Sequence, residues 1–471
     1  MGGRVLVCAL LCLFTACSSS DSSPPIMGTS PSTNNTPAQT PATSPPSQPP
    51  AQQPPPQPPP PQQPPPPQPP PSPPTGGAAG PWPVADLTIY NLAQNLFGSV
   101  IDASPDDAQN IWAATPDTLY VLRPGQTTFK PYTAADGLHI QSFTDTTGTT
   151  VTKITTMAGG YANEVFVGYR GYEQEIPPPA PPPCCVANAD FSDPRWHLGQ
   201  ADKVTLNPDG TIQVRRYEFL CDATVNCWEE HSARRMIFGH NGTAAGHLFI
   251  GFDHGATQVF NDTWGDHIHV EIVWHFPDGS IVQKQGEQYG LALFPNGDLL
   301  TASRYGVGAQ SWNVDPKAWV NEHFVWAFTT NGPAEPYNNG EHDWTVPAGY
   351  REDNLGAAVT PDGTAWWVSP LTGLSSYNHA VARFNYSLIQ HYTNVAGLPA
   401  AGLVDIAADP DGTLWIVDNT GRLLRFNPTA LTVQVWPGVS NVQRVVMDAS
   451  VTPRALYVSM GAQGLAVIRA K

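Results

Sequence analysis

The chain has 471 residues, 13% of them charged, with 52 prolines, 41 glycines and a formal net charge of −17. That charge excludes nucleic acid as a partner, because a phosphate backbone demands a basic surface. It also argues against direct electrostatic docking onto anionic lipid.

The first element is a short apolar run from Val5 to Phe14, with Arg4 the only charge in the first twenty residues. Such a run is too short for a permanent membrane helix and suits a signal-peptide core over residues 1–16. Leu13-Phe14-Thr15-Ala16-Cys17, followed by serines, resembles the lipobox of bacterial lipoproteins, although Phe14 stands where that family usually carries an aliphatic residue. The resemblance implies a diacylglycerol on Cys17, removal of the preceding peptide and a bilayer as partner. Several acyl chains give stable attachment. Ser18 after the cysteine, by resemblance to enterobacterial sorting, points to the outer membrane. The alternative is an ordinary secretory signal cut near Ala16.

Residues 17–83 are rich in Pro, Gln and Ser, with Asp21 the only charged residue. Such a segment buries too little apolar surface to offset its ordering entropy, so a disordered stalk is expected. Proline favours polyproline II at about 3.1 Å per residue, so the densest proline stretch alone gives a spacer on the order of 80 Å. A proline-rich ligand for a peptide-binding domain is the less favoured alternative.

Residues 84–471 are punctuated by Gly, Asp and Asn and lack long apolar stretches of helical period; one short helix is expected after Asp315-Pro316. This is an all-β pattern. Cys184, Cys185, Cys221 and Cys227 follow a second proline run at 177–183. In an oxidising compartment they suggest two disulfides pinning an insertion near 177–230. Zinc is the competing use, but the spacing matches no familiar site.

A strand–turn–strand unit recurs. Leu403 to Val417 contains an alternating strand, Pro410-Asp411-Gly412, and a second strand carrying Trp415. The phrase returns at Ala357–Val368 and Leu291–Ala302, and more weakly from Val100, Val204, Val273 and Val445. Tyr132–His139 is echoed by Tyr392–Pro399, and Gly421–Pro428 reads as a third strand. Four short strands per repeat, with an apolar face that no repeat buries alone, predict a β-propeller. Trp112, Phe166, Phe249, Trp366, Trp415 and Tyr457, with Leu299, mark about seven blades. Six or eight also fit, because the units from Val204 and Val273 read equally as blades or as hairpins within one.

The recurring phrase resembles the two-component-regulator-type propeller repeat, best over Leu403–Pro428 and Tyr392–Pro399. The resemblance implies the propeller fold and a binding or sensing role rather than a reaction. The repeat aromatics and turn residues, Trp366, Trp367, Trp415, Asp411 and Gly412, are expected to be structural.

Seven histidines fall between His231 and His275. In His267-Ile268-His269 both rings share one strand face, next to Asp266, so Asp266, His267 and His269 are the candidate ligands for a divalent metal. A cofactor-free chain is the alternative preferred. Two function classes compete. A surface-displayed binding or scaffolding module would engage a protein or glycan at the propeller face, and a purely structural envelope protein is a variant of it. An exported propeller lyase or hydrolase would converge His254, His267, His269, Arg304 and His379 on one funnel mouth. The clustering of the histidines in one blade region favours binding, and no enzyme activity is assigned.

Overall fold

The computed structural model describes residues 86–140, 143–144, 150–151, 153–171, 199–218, 232–252, 255–268, 272–275, 281–284, 287–304, 306–311, 324–328, 342–345, 352–382 and 388–470. All of them belong to the unit Gly76–Lys471. The signal peptide, Cys17, the stalk, the four paired-cysteine candidates and the helix expected after Pro316 lie outside the described residues.

Seven four-stranded antiparallel sheets make up a β-propeller. Their innermost strands are Asp102–Pro105, Ile154–Gly159, Ala233–Phe238, Gln288–Leu293, Gly356–Val359, Leu403–Ala408 and Arg444–Asp448, which we number blades 1 to 7. The second strands are Ile111–Thr115, Glu164–Tyr169, His247–Phe252, Leu299–Ser303, Ala365–Ser369, Leu414–Asp418 and Ala455–Ser459. Asp86–Tyr90 is the outer strand of blade 7, where it pairs antiparallel with Leu465–Arg469. The start of the domain therefore closes the ring onto its end.

The two ambiguous units are hairpins. Gln200–Leu206 and Ile212–Tyr217 are the outer pair of blade 2. Ile272–His275 and Ile281–Lys284 stand apart from the blades in a three-stranded sheet with His342–Thr345. Seven blades remain.

Burial on both faces explains why the second strands carry so little polarity. In each blade one large side chain packs onto the following blade: Trp112 on Val165 and Val167, Trp366 on Ile406 and Leu414, Trp415 on Leu456 and Val458, Tyr457 on Ile111 and Ala113. Its neighbour turns to the preceding blade, as Trp367 does towards Leu300 and Ala302. This is the two-residue strand period with both faces used. In blade 4 the position equivalent to the aromatics belongs to Leu300 rather than Leu299: Leu300 packs forward with Trp367, and Leu299 packs backward with Phe249. Truncating one such buried aromatic to alanine costs about 3–5 kcal/mol.

The indole N–H groups are satisfied within the repeat. Trp112 Nε1 donates to Asp106 Oδ2 at 3.0 Å, Trp366 Nε1 to Thr360 Oγ1 at 3.0 Å, and Trp415 Nε1 to Asp409 Oδ2 at 3.3 Å. Each acceptor begins the turn between the first two strands, so the turn and the packing aromatic form one unit. Within the turns, Asp362 and Asp411 accept from the backbone N–H of Thr364 and Thr413, and Gly363 and Gly412 take φ of 79° and 84°. The structural reading of these residues holds. Among the described residues no helix is long and apolar enough to cross a membrane.

Candidate functional site

The inner strands meet around the axis, and their registers define one level there. The residues opposite Ala114, Gly168, Gly251, Ala302, Val368, Val417 and Ser459 are Asp102, Thr156, Arg235, Gly290, Gly356, Asp405 and Arg444. Arg444 Nη1 lies 2.6 Å from Asp102 Oδ2 and donates to Thr156 Oγ1 at 3.0 Å. Arg235 Nη1 lies 3.1 Å from Asp405 Oδ1, linking blade 3 to blade 6. Between them, blades 4 and 5 contribute only glycine. A Cβ on Gly356 would stand 3.1 Å from Asp405 Oδ1, so the missing side chain leaves the corridor the pair occupies.

Backbone donors complete the belt: Met157 N–H bonds Asp102 Oδ2 at 2.9 Å, and Val445 N–H bonds Asp405 Oδ2 at 2.8 Å. Burial disfavours the Arg444 cation, but the carboxylates of Asp102 and Asp405 outweigh it and raise its pKa above the ordinary value. These four charges neutralise one another. In four blades (2, 3, 4 and 6) a bulge sits beside this level, a device that re-aims side chains near a strand end.

From the belt to the turns between first and second strands runs a cavity of about 530 Å³. Its walls are small and apolar. Ala158, Ala292, Ala358 and Ala407 stand opposite Phe166, Leu300, Trp366 and Trp415. Small residues at the axis with large ones a strand further out fit the taper of a wedge-shaped blade. The mouth carries Asp106, Asp107, His240, Asn241, Asp448 and Ser450. It continues into a second cavity of about 590 Å³ between the turns of blades 3 to 6, sharing His240, Leu293, Val359 and Ala408. His240 Nδ1 lies 2.8 Å from Asp107 Oδ1 and bridges the turns of blades 3 and 1. Burial pushes the Asp106 carboxyl up, against the hydrogen bonds from Asn110 and Trp112.

The described residues among those predicted from sequence, Asp266, His267, Arg304 and His379, stand on other parts of the blades. Asp266 and His267 stand on the outer strand of blade 3, Thr263–Ile268, with His267 opposite Thr257. His254 and His269 lie outside the described residues. Arg304 follows the second strand of blade 4, with Glu287 Oε2 2.7 Å and Asp353 Oδ1 3.6 Å from its Nε, and donates to Tyr289 Oη at 3.0 Å. His379 opens the short helix His379–Ala382 after the third strand of blade 5, where burial lowers its pKa. Arg304 and His379 are thus placed on different blades, in different environments. Among the described residues no group of three or more His, Cys, Asp or Glu side chains gathers to hold a metal ion.

Sequence reasoning missed Asp102, Arg235, Asp405 and Arg444. The signal was present: a charged residue near the start of an otherwise apolar inner strand, in VIDAS, ARRMIF, VDIAA and QRVVMD. The funnel also had a signal, in the alanine that recurs shortly before the turns of blades 2, 4, 5 and 6, at Ala158, Ala292, Ala358 and Ala407.

No protein-family model matches the chain, and no curated protein matches it in sequence. Among solved structures it is similar to β-propellers. One is described as YCF48 bound to D1 peptide, 12% identical, covering 82% of this chain and 95% of that one, TM-score 0.44. Another is a streptogramin B lyase, 10% identical, covering 82% and 98%, TM-score 0.43. A third is the WD40 β-propeller domain of Doa1, 11% identical, covering 79% and 93%, TM-score 0.40. The propeller assignment itself rests on the seven sheets of this chain and their closure by Asp86–Tyr90.

Proposed function

We propose that the chain is an envelope-tethered binding module whose ligand enters the axial funnel from the face bearing the turns between first and second strands. The observation that carries this reading is the funnel: an apolar-walled space of about 530 Å³, within the range of ligand sites, rimmed by a few polar groups. The arginines and carboxylates at its inner end are engaged with one another, which suits a closed floor rather than acid–base chemistry. The resemblance of the repeat to the two-component-regulator-type propeller agrees with a binding role.

Peptide and glycan arrays probed with the wild-type domain and with Ala408→Phe test the site. Ala408 is half-buried and lines both cavities, so a larger side chain there fills the passage. Ligands should be lost in the variant; hits retained at full strength would place binding elsewhere. For the tether, the lipobox-like sequence supports acylation of Cys17 and attachment to the outer membrane. Detergent phase partitioning of the full chain and of Cys17→Ala tests this. Wild type should enter the detergent phase and the variant the aqueous phase; equal behaviour would remove the lipid anchor.

A further inference from the structure

The rim and the walls of the funnel differ in chemistry, and together they specify a partner. Asp107 and Asp448 stand at the mouth, with Asp106 buried behind them, and among the described residues none of the three has a lysine or arginine partner within ion-pair distance. Asp107 hydrogen-bonds the His240 ring and keeps a side chain 38% exposed. Asp448 accepts from the Ser450 N–H and hydroxyl, at 2.9 and 2.6 Å, and from Gln109 Nε2 at 3.4 Å. Asp106 is held by Asn110 and Trp112. Deeper in, Met157, Met236, Ile237 and the alanines offer no charge, and Arg235, the one guanidinium lining the cavity among the described residues, is taken by Asp405.

We infer that the funnel takes an extended protein segment in which an apolar side chain enters between the alanine walls while a neighbouring lysine or arginine meets the carboxylate rim. This rests on the funnel being the ligand site. An apolar group alone would leave the rim charges unanswered, and an anion would face them without compensation. A cation alone would leave the walls unfilled. The second cavity, running sideways between the turns of blades 3 to 6, gives room for chain on either side of the inserted residue. Such a rim also raises the association rate of a basic segment and makes it depend on salt.

The test uses fluorescence anisotropy with four labelled peptides: Gly-Ser-Leu-Lys-Ser-Gly with blocked ends, and versions with Lys replaced by norleucine, Lys by Glu, or Leu by Ser. The lysine peptide should bind about tenfold more tightly than each of the others, the worth of a charge-assisted contact or a buried aliphatic group. Asp107→Asn with Asp448→Asn should erase the advantage of lysine over norleucine. Asp107 is half-exposed, so Asp107→Asn alone serves if the double variant does not fold, as judged by near-ultraviolet circular dichroism. Equal or tighter binding of the norleucine or Glu peptide, or no binding by any of the four, overturns the inference. Ala408→Phe separates the two readings. If it abolishes binding that shows no lysine preference, the funnel survives and the basic partner does not. If it leaves binding untouched, the funnel is not the site.

Discussion

Arg235 and Asp405, on blades 3 and 6, form an ion pair at 3.1 Å that bypasses two whole blades. Both side chains are nearly buried, at 9% and 3% exposure, so the pair owes little to solvent. Removing one partner strands the other. Arg235→Met should therefore cost about 3 kcal/mol, and the double variant Arg235→Met/Asp405→Asn should be less destabilised than the single one. The asparagine keeps an acceptor for the Val445 N–H. Denaturant midpoints for Arg235→Met, Asp405→Asn and the double variant measure the coupling; additive losses would show that the pair does not act as a unit.

The glycines flanking that pair should be intolerant to different degrees. A Cβ on Gly290 would meet Ala357 N and Gly356 C at 2.7 Å, both backbone atoms of the next blade. On Gly356 the nearest contact is at 3.0 Å. Gly290→Ala should cost about 2–3 kcal/mol and Gly356→Ala nearer 1 kcal/mol, by overpacking. Chemical denaturation checks the order.

Ring closure gives a third expectation. Domain variants starting at Asp86 and at Asn91 differ only in the strand that pairs with Leu465–Arg469 and brings the Tyr90 ring edge-on to Phe129 at 5.6 Å. The shorter one should lose about 3 kcal/mol, from a handful of backbone hydrogen bonds, and should expose a new sheet edge. A lower midpoint with concentration-dependent association in ultracentrifugation is the expected result.

Stability should fall on mild acidification. His247 is buried, stacked on Phe260 at 4.1 Å between centroids, and burial lowers its pKa from the ordinary value. The unfolded chain then binds the proton more readily than the folded one. The contribution is complete above the unfolded value, about 6.5, and is lost as pH falls through the folded value. Denaturant midpoints should drop as the pH falls below about 6.5, and His247→Leu should flatten part of that slope. His379 and His391, whose pKa values are also lowered by burial, keep the remainder.

Blade count was legible because each second strand has to place one large side chain against the next blade, and that demand repeats down the sequence. Six aromatics and a leucine carry it. The units from Val204 and Val273 were ambiguous for a physical reason. Pro-Asp-Gly encodes a tight turn and nothing about which strands it joins: Asp209 and Gly210 build the same turn in an outer hairpin as Asp411 and Gly412 build in an inner one. The axial belt was not legible as a site, since Arg235 and Asp405 become neighbours only when the circle is complete. Histidine density drew attention to blade 3, yet the outer-strand register of His267 is set by sheet order, which local pattern does not reveal.

The five residues Asp86–Tyr90 follow directly on the proline-rich segment in the chain and also fasten the first blade's approach to the last. Tension reaching the domain from its N-terminal side would act on that strand before any other. A tug strong enough to free Asp86–Tyr90 from Leu465–Arg469 would therefore unlatch the circle as well.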